Sequence, residues 1–354
     1  MGNGKGGTLR RATALWNGTG LPAFVLRRLV WSLGTVVGVV AVTFLVSHVI
    51  PADPAALVAG ERATREQIEA LRHQLGFDRP LLTQLFDYYV RLAQGDLGKS
   101  LFTSRPVSAD LLSRLPATIE LALAAMAVTV GLGVPVGVLA ALRRNSWFDQ
   151  VVRIVTVSGL AIAGFWLAII LQLTFAMDVG WLPLGGRLPA DVAPPPAVTG
   201  LYTVDALLAG QPATFMTAML HLALPTVTLA FPAMATIVRF TRAGMLDTMN
   251  KPFVQYERAM GLPESLIVWK YMLRNALTST VTQIGLVAGA LLGGAVVIEA
   301  VFDWPGLGYY AVNSIILSDY NAVLGFTVWV AVIYIVINIA VDVLHRLIDP
   351  RGSG

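Results

Sequence analysis

The sequence predicts an all-α membrane protein with six transmembrane helices and a separate helical segment between the first two. Three observations support this prediction. Hydrophobic residues make up 56% of the chain and charged residues only 13%, whereas charged residues make up about a quarter of a soluble domain. Six segments are long and apolar enough to cross a hydrocarbon core of about 30 Å as helices. Lys and Arg are concentrated in alternate loops between these segments.

The six predicted spans use most of the chain after residue 28. Each has roughly the 20 apolar residues that a helix needs to cross a bilayer. The first span is longer than the apolar region of a signal peptide, so we interpret it as a retained helix. In chain order the spans are 29–50, 117–142, 151–177, 215–238, 277–301 and 323–344, and we group the last five in a core, 117–345.

Basic residues indicate the orientation of the chain, because cytoplasmic loops carry an excess of Lys and Arg. The N-terminal tail, 1–28, contains basic residues and no acidic residue. Further basic residues lie between the second and third spans, in the loop 240–276 and in the tail 346–354. The short loops on the other side are nearly free of them, with Arg187 as the exception. We therefore predict a multi-pass protein of the inner or plasma membrane with both termini in the cytoplasm.

The segment 51–116 is predicted to be extracytoplasmic and helical. Thr64 and Gln67 form a capping-box pattern at the start of one helix, and an apolar stripe follows it. Gly76 and Pro80 then separate this helix from a second amphipathic stripe. The segment is either a small cap packed on the membrane helices or a docking surface for an outside partner, and both can be true.

Several kinds of chemistry are not supported by the sequence. The chain has no cysteine, which excludes disulfides and thiolate sites, and its four histidines show no metal-ligand spacing. The segment 95–100 partly resembles a phosphate-binding loop. Ala93 stands where that pattern requires its first glycine, so we predict a turn between helices. We expect a non-catalytic chain without a cofactor or metal of its own.

Charged residues avoid the middle of every predicted span. Glu120, Glu299 and Asp342 lie toward span ends, where water can reach a side chain. A charge at a span centre usually marks a proton or ion relay, so its absence disfavours a proton-coupled carrier. Unwound backbone can bind sodium without any charged residue, and an ion-driven carrier remains an alternative.

Glycines at four-residue spacing predict close contacts between helices, because small residues let two backbones approach. The longest such row lies in the fifth span, and we consider it a candidate for helix packing or for lining a pore. Shorter pairs lie in the first and second spans. The row is Gly285, Gly289 and Gly293, and the pairs are Gly34 with Gly38 and Gly133 with Gly137.

The cytoplasmic loop 240–276 is the most informative segment. Gly261 followed by Pro263 predicts that one helix ends and another begins, since glycine adopts the left-handed cap conformation and proline suits a first helical turn. The second helix leads directly into the fifth span. A short helix joined by a tight turn to a membrane helix can act as a lever that tilts the membrane helix.

Motifs over nearly the whole chain from Phe24 resemble those of permeases in ATP-binding-cassette importers. The similarity is greatest to the B-type subunit of the dipeptide/oligopeptide group. Within the loop, the motif is Ala-Met-Gly-Leu-Pro at 259–263 followed by Leu-Arg-Asn-Ala-Leu at 273–277. Further motifs follow in the order of that family at 51–54, 75–81, 95–100, 114–121, 165–167, 180–183, 299–308 and 349–351. Each motif is a weak signal, and the ordered set is specific.

The resemblance implies a type I importer permease fold in which the loop docks on a cytoplasmic ATPase, with its turn at Gly261. The family's acidic-small-small signature falls on 255–257 and is not matched there, so we expect a compensating change on the ATPase. The residues assigned to ATPase coupling are Gln255, Tyr256, Glu257, Arg258, Ala259, Met260, Gly261, Leu262 and Pro263.

The resemblance also implies the partners of the chain. They are a second related permease chain, two ATPase subunits that bind ATP and Mg, an extracytoplasmic substrate-binding protein, and membrane lipid, without nucleic acid. The implied substrates are di- or oligopeptides or similar small solutes, and nickel or glutathione are alternatives within the same family. An ion-driven carrier without ATPase and a non-transporting scaffold are the alternatives from other classes.

Overall fold

A computed structural model describes residues 21–49, 54–60 and 63–348. Within these ranges the chain is helical, and the only β-type pairing there is an isolated bridge between Lys99 and Pro106. The predicted cytoplasmic tails fall largely outside the described residues. So do the motifs predicted at 51–53 and 349–351.

The helices are numbered here in chain order. They are α1 Leu21–Val49, α2 Pro54–Ala59, α3 Arg65–Leu75, α4 Leu81–Ala93, α5 Val107–Leu142, α6 Trp147–Ala161, α7 Gly164–Leu171, α8 Tyr202–Leu208, α9 Pro212–Met249, α10 Pro252–Ala259, α11 Glu264–Leu266, α12 Leu273–Val301, α13 Leu307–Ile316 and α14 Tyr320–Ile348. Two π-helices continue α-helices: Gln172–Asp178 follows α7, and Ile267–Met272 joins α11 to α12.

Five helices of the described chain, α1, α5, α9, α12 and α14, are long and apolar enough to cross a membrane. A sixth span exists if α6 and α7 with its π-helix count as one broken span, since they are bent by 107°. The predicted third span, 151–177, is therefore not one straight helix. Ile162 and Ala163 have extended backbone with ψ of 127° and 128°, and this turns the chain between two short apolar helices.

Several helices are longer than their predicted spans. The second span begins at Val107 rather than near residue 117, and the fourth continues to Met249 rather than ending near residue 238. Hydropathy detects only the part of a helix that matches the bilayer. The polar ends of these helices project beyond the bilayer and give no hydropathy signal. Only the structure shows that they are helical.

The described chain divides into two compact units. The first comprises Met1–Leu111 with Asn313–Gly354, and α1 packs on α14 within it. Here the capping box predicted for α3 is confirmed: Gln67 N donates to Thr64 Oγ1 at 3.3 Å, and Thr64 N donates to Gln67 Oε1 at 2.9 Å. The helix ends at Gly76 with a φ of 76°.

The segment 95–100 is a turn, as predicted, and its backbone amides are used within the chain. Gly98 N donates to the Asp96 carboxylate at 2.8 Å, and Leu101 N donates to Asp319 at 2.9 Å. Ser100 Oγ also donates to Asp319. Because these groups already have partners, the segment does not offer the row of free amides that a phosphate-binding loop requires.

The second unit, Leu112–Val312, is built around α9. Of the apolar window of this helix, 67% is buried, compared with 33% or less for the other four candidate spans. Helix α9 packs on α6, α7, α8 and α12. It therefore forms the centre of the unit.

One predicted glycine pair is confirmed as a helix-packing contact. A Cβ on Gly137 would lie 2.7 Å from Thr241 Cβ and 2.8 Å from the Val238 carbonyl oxygen, both on α9. Gly133 faces Ile237 on the same helix. These glycines let α5 approach α9 closely, as small residues do in membrane helix pairs.

Gly137→Ala is expected to destabilise the chain, because the backbone carbonyl at Val238 cannot move aside cheaply. The expected cost is about 1–3 kcal/mol from overpacking. Gly131→Ala is the matched control on the same helix, since a Cβ there meets no atom within 4 Å; it should be neutral or stabilising by up to about 1 kcal/mol. Thermal unfolding of the purified chains in detergent measures the difference. Equal unfolding temperatures would contradict the packing described here.

Candidate functional site

The loop after α9 contains the predicted break between two helices. Helix α10 ends at Ala259, and Gly261 has a φ of 76° in the left-handed region. Gly261 N donates to the Arg258 carbonyl at 3.0 Å, and Leu262 N donates to the Glu257 carbonyl at 3.3 Å. Pro263, with a ψ of 135°, is the N-cap residue just before the next helix. The predicted end of one helix at the glycine is confirmed, but the proline is not in the first turn of the next helix as predicted.

One face of α10 is packed into a buried apolar group that we call the anchor cluster. Its members belong to α10, to the ends of the spans α5, α9 and α12, and to the π-helix before α12. Val254 is the member from α10, and it is fully buried. The anchor cluster consists of Val138, Ala141, Met245, Val254, Ile267, Val268, Met272 and Ala276.

The opposite face of α10 is open. Tyr256 is 67% exposed and Met260 is 61% exposed, although both are large and apolar. Of the nine predicted coupling residues, Glu257 and Leu262 are partly buried and the other seven are exposed. The structure therefore brings all nine into one continuous helix and turn, with two apolar side chains available to a partner surface.

An ion pair closes the turn. Arg258 Nε donates to Glu264 Oε2 at 3.2 Å, and Arg258 Nη2 donates to Glu264 Oε1 at 2.5 Å. The hydrogen bonds from Arg258 hold the pKa of the Glu264 carboxyl below its usual value. Both side chains are about half exposed, so the pair fixes the geometry of the turn more than it adds stability.

Sequence reasoning missed a buried ion pair near this loop. Arg242 of α9 donates two hydrogen bonds to Asp149 of α6, at 2.6 and 2.8 Å, and Asp149 is fully buried. Asn145 N donates to the same carboxylate at 3.1 Å. The Ser146 cap was the only local signal that a helix begins here, and nothing in the sequence relates this helix start to Arg242.

Glu120 is buried, although its position toward a span end would allow hydration. Its carboxylate is buried, and it accepts hydrogen bonds from Thr203 N and Oγ1 at 2.8 and 2.7 Å and from Arg187. The Arg187 guanidinium also lies 3.5 Å from the centre of the Tyr202 ring. Arg187, the exception to the charge asymmetry, thus neutralises a buried acid, because an unpaired charge inside the unit would be costly.

Glu299 is also buried rather than hydrated. Its Oε2 accepts from Gly308 N at 2.7 Å and Tyr309 N at 3.2 Å. A Cβ on Gly306 would clash with the carboxylate, so glycine is required for this close approach. The motif at 304–308 therefore packs a turn and the start of α13 against Glu299. The side chain of Asp342 lies outside those that the structure describes.

The same motif is also hydrogen-bonded to α5, at Ala117 and Thr118. Trp304 Nε1 donates to the Ala117 carbonyl at 2.8 Å, and Leu307 N donates to Thr118 Oγ1 at 2.8 Å. Trp304 is buried. Aromatic side chains near span ends often lie at a membrane interface, but Trp304 is packed inside the unit.

The glycine row in α12 does not form a uniform face. Gly285 is partly buried, Gly289 is buried and Gly293 is exposed. A Cβ on Gly293 would meet no atom within 4 Å. The role of the glycine row in helix packing or in lining a path stays a prediction.

No group of three potential metal-ligating side chains occurs in the described ranges.

Comparisons with known proteins agree with this arrangement of spans and loop. The family described as "Binding-protein-dependent transport system inner membrane component" matches residues 133–353. The family described as "Binding-prot-dependent transport system membrane comp, N-term" matches residues 21–122. The protein is thus a multi-pass permease of the inner membrane.

Two relatives of known description are permeases of peptide transport systems. The chain is 44% identical to the probable D,D-dipeptide transport system permease protein DdpB of Escherichia coli (strain K12), over 93% of this chain and 98% of the relative. It is 40% identical to the di/tripeptide transport system permease protein DppB of Pseudomonas aeruginosa (strain UCBPP-PA14), over the same shares. The chain belongs to the family of binding-protein-dependent importer permeases, and its recognition as an ATP-binding-cassette permease of the dipeptide/oligopeptide group is confirmed.

A solved structure supports the fold. A chain of the MetNI methionine ABC transporter in an inward-facing conformation matches with a TM-score of 0.50 and 20% identity, and the match covers 68% of this chain and 96% of that chain. The predicted importer permease fold is confirmed by this likeness together with the family matches.

Asp149→Asn is expected to destabilise the chain by about 3–5 kcal/mol, because it leaves Arg242 without its buried partner charge. Asp247→Asn is the matched control. It removes the same charge from the exposed Asp247–Lys251 pair, 3.3 Å apart on the surface, and should cost less than about 1 kcal/mol. Thermal unfolding in detergent separates the two variants, and a similar loss in both would refute the structural importance of the buried pair.

Proposed function

We propose that the chain forms half of the translocation path of an importer for di- or oligopeptides or similar small solutes, and that cytoplasmic ATPases drive it through α10. The observation that carries this proposal is the two-sided character of α10. One face is fixed in the anchor cluster, and the other exposes Tyr256 and Met260. A helix that is held on one side and open on the other can receive force and transmit it.

The anchor cluster supplies the mechanical connection. Val254 contacts a packed group that includes the ends of α5, α9 and α12, and packed interiors transmit displacement because they are nearly incompressible. Gly244 adds a second constraint, since a Cβ there would lie 2.7 Å from the Ala276 carbonyl oxygen. A pull on α10 would therefore move the ends of α9 and α12 together.

The π-helix Ile267–Met272 supplies a place where α12 can change its direction. π-helical turns are locally less regular than α-helix and often lie at functional positions. Displacement of α10 would be absorbed here while the remainder of α12 tilts as a rod.

Reversing a 1:99 ratio of outward-open and inward-open states requires about 5.5 kcal/mol of differential interaction, which ATP-driven closure of two partner subunits would provide.

The proposed assembly contains a second related permease chain, two ATPase subunits and an extracytoplasmic binding protein. The chain itself is non-catalytic in this proposal, and ATP with Mg²⁺ belongs to the ATPases. Basic residues in the loop 240–276 and in the tails support a cytoplasmic location of both termini. The family description, which names a binding protein, supports delivery of the solute from the other side.

Peptides are the favoured substrates. The two relatives reported above are named for D,D-dipeptides and di/tripeptides, which supports peptides over nickel or glutathione. An ion-driven carrier is not favoured. Glu120 and Glu299, two acids that a proton relay could use, are both engaged by hydrogen-bond donors of this chain.

Replacing Tyr256 and Met260 together by alanine is expected to weaken binding of the ATPase by tenfold or more, because truncating a central interface residue costs about 2 kcal/mol. Co-purification of the ATPase subunits with the tagged permease measures this. Leu82→Ala with Phe86→Ala is the matched control: these side chains are 79% and 67% exposed at the same spacing on α4, in the segment 51–116. The proposal fails if both double variants retain the ATPase equally.

Gly261→Val is expected to abolish solute-stimulated ATP hydrolysis in the reconstituted assembly while the chain still inserts in the membrane. A β-branched residue is an outlier at a φ of 76°, and the left-handed conformation costs it about 1–2 kcal/mol, so the turn would reorganise. Gly95→Val is the control, with a φ of 80° and open space around it. Stimulation that survives Gly261→Val would remove the turn from the coupling mechanism.

A further inference from the structure

A cavity of about 450 Å³ lies within the unit formed by Met1–Leu111 and Asn313–Gly354. Its walls come from α3, α4 and the turn between them, and from α1 and α14. This volume is within the range of about 300–1,000 Å³ that small-molecule sites occupy. The proposed transport mechanism makes no use of this cavity.

One wall of the cavity is positively charged. Arg79, Asp87 and Arg91 line it, so two guanidinium groups face one carboxylate. Arg79 Nη1 lies 3.3 Å from Asp87 Oδ2 and is paired with it. Arg91 makes no ion pair with any described residue, and its Cζ lies 5.9 Å from the centre of the Tyr88 ring. The wall therefore carries one more guanidinium group than carboxylates, and Arg91 is the arginine that forms no ion pair with a described residue.

Tyr88 adds a hydrogen-bond donor without a partner. Its side chain lines the cavity and is only 2% exposed. Its hydroxyl is buried and has no hydrogen-bond partner within the described residues. A buried hydroxyl that lacks a partner is costly, and an acceptor bound in the cavity beside Arg91 would satisfy it.

Two candidate membrane spans also line the cavity. Phe44 of α1 and Leu324 of α14 supply apolar side chains, and Tyr320 and Asn321 of α14 supply polar ones. The same two helices expose apolar side chains along their length, including Leu33, Val37, Val46, Val332 and Val336.

We propose that this cavity binds the anionic headgroup of a phospholipid. The phosphate would lie between Arg91 and the Tyr88 hydroxyl, and the acyl chains would follow the exposed surfaces of α1 and α14. Inorganic phosphate shares the anionic chemistry but matches only the charged wall. An acidic peptide segment likewise leaves the two membrane spans without an apolar partner. The amphiphile fits both the charged wall and the spans, because guanidinium groups favour phosphate and the spans favour hydrocarbon.

The test uses the purified full chain in neutral detergent. Binding of phosphatidylglycerol, phosphatidylcholine, inorganic phosphate and a soluble acidic peptide is measured by native mass spectrometry and by thermal shift. The proposal expects phosphatidylglycerol to bind at least about tenfold more tightly than the other three probes. The choline cation of phosphatidylcholine would be repelled by Arg79 and Arg91, and inorganic phosphate and the peptide lack acyl chains for the apolar surfaces. Equal binding of inorganic phosphate or of the peptide would overturn the lipid as the occupant.

Arg91→Gln and Tyr88→Phe are each expected to weaken phosphatidylglycerol binding by about tenfold or more. Tyr88→Phe keeps the packed ring and removes the hydroxyl, so the lipid-free chain should remain folded. Arg65→Gln is the matched control: it removes the same charge from an exposed position on α3 that does not line the cavity. Unchanged binding in both cavity variants, or an equal loss in Arg65→Gln, would overturn the proposal. No ATPase is needed, so this outcome is independent of the coupling mechanism.

Discussion

The packing of α10 on the ends of three membrane helices is the interaction on which the site depends. Val254 is fully buried in the anchor cluster, so α10 cannot move without displacing the helix ends around it. In the proposed mechanism this contact is what lets the loop direct the motion of the spans. Tyr256 and Met260 would pass on a force from a partner because the opposite face of the helix is fixed.

Buried charges follow a second constraint, which is that each needs a partner from the same unit. Asp149 is held by Arg242, and Glu120 by Arg187 and Thr203. Glu299 is instead held by backbone amides in the first turn of α13. An uncompensated charge in an apolar interior is far more costly than a paired one. These contacts therefore fasten helices to one another, and the loop with Arg187 to α5, within the unit Leu112–Val312.

The segment between the first two spans has a structural role, and our proposal adds a binding role to it. Its capping box and its turn at 95–100 give it a defined conformation, with Asp319 as a shared acceptor. Its helix α4 carries Tyr88 and Arg91 to a cavity that two spans also line. A cap packed on membrane helices, one of the two interpretations open at the level of sequence, agrees with this arrangement within the first unit.

The sequence by itself determined the apolar spans, the capping box at Thr64 and the helix break at Gly261. Each of these depends on residues that are close together in the chain, so hydropathy or local backbone preference encodes it. The tertiary structure alone decided that Asp149 meets Arg242 and that Glu120 meets Arg187, since their partners are distant in sequence. It also decided the 107° bend in the third span and which face of α10 is buried, because a polar loop helix shows its buried side only when its neighbours are in place.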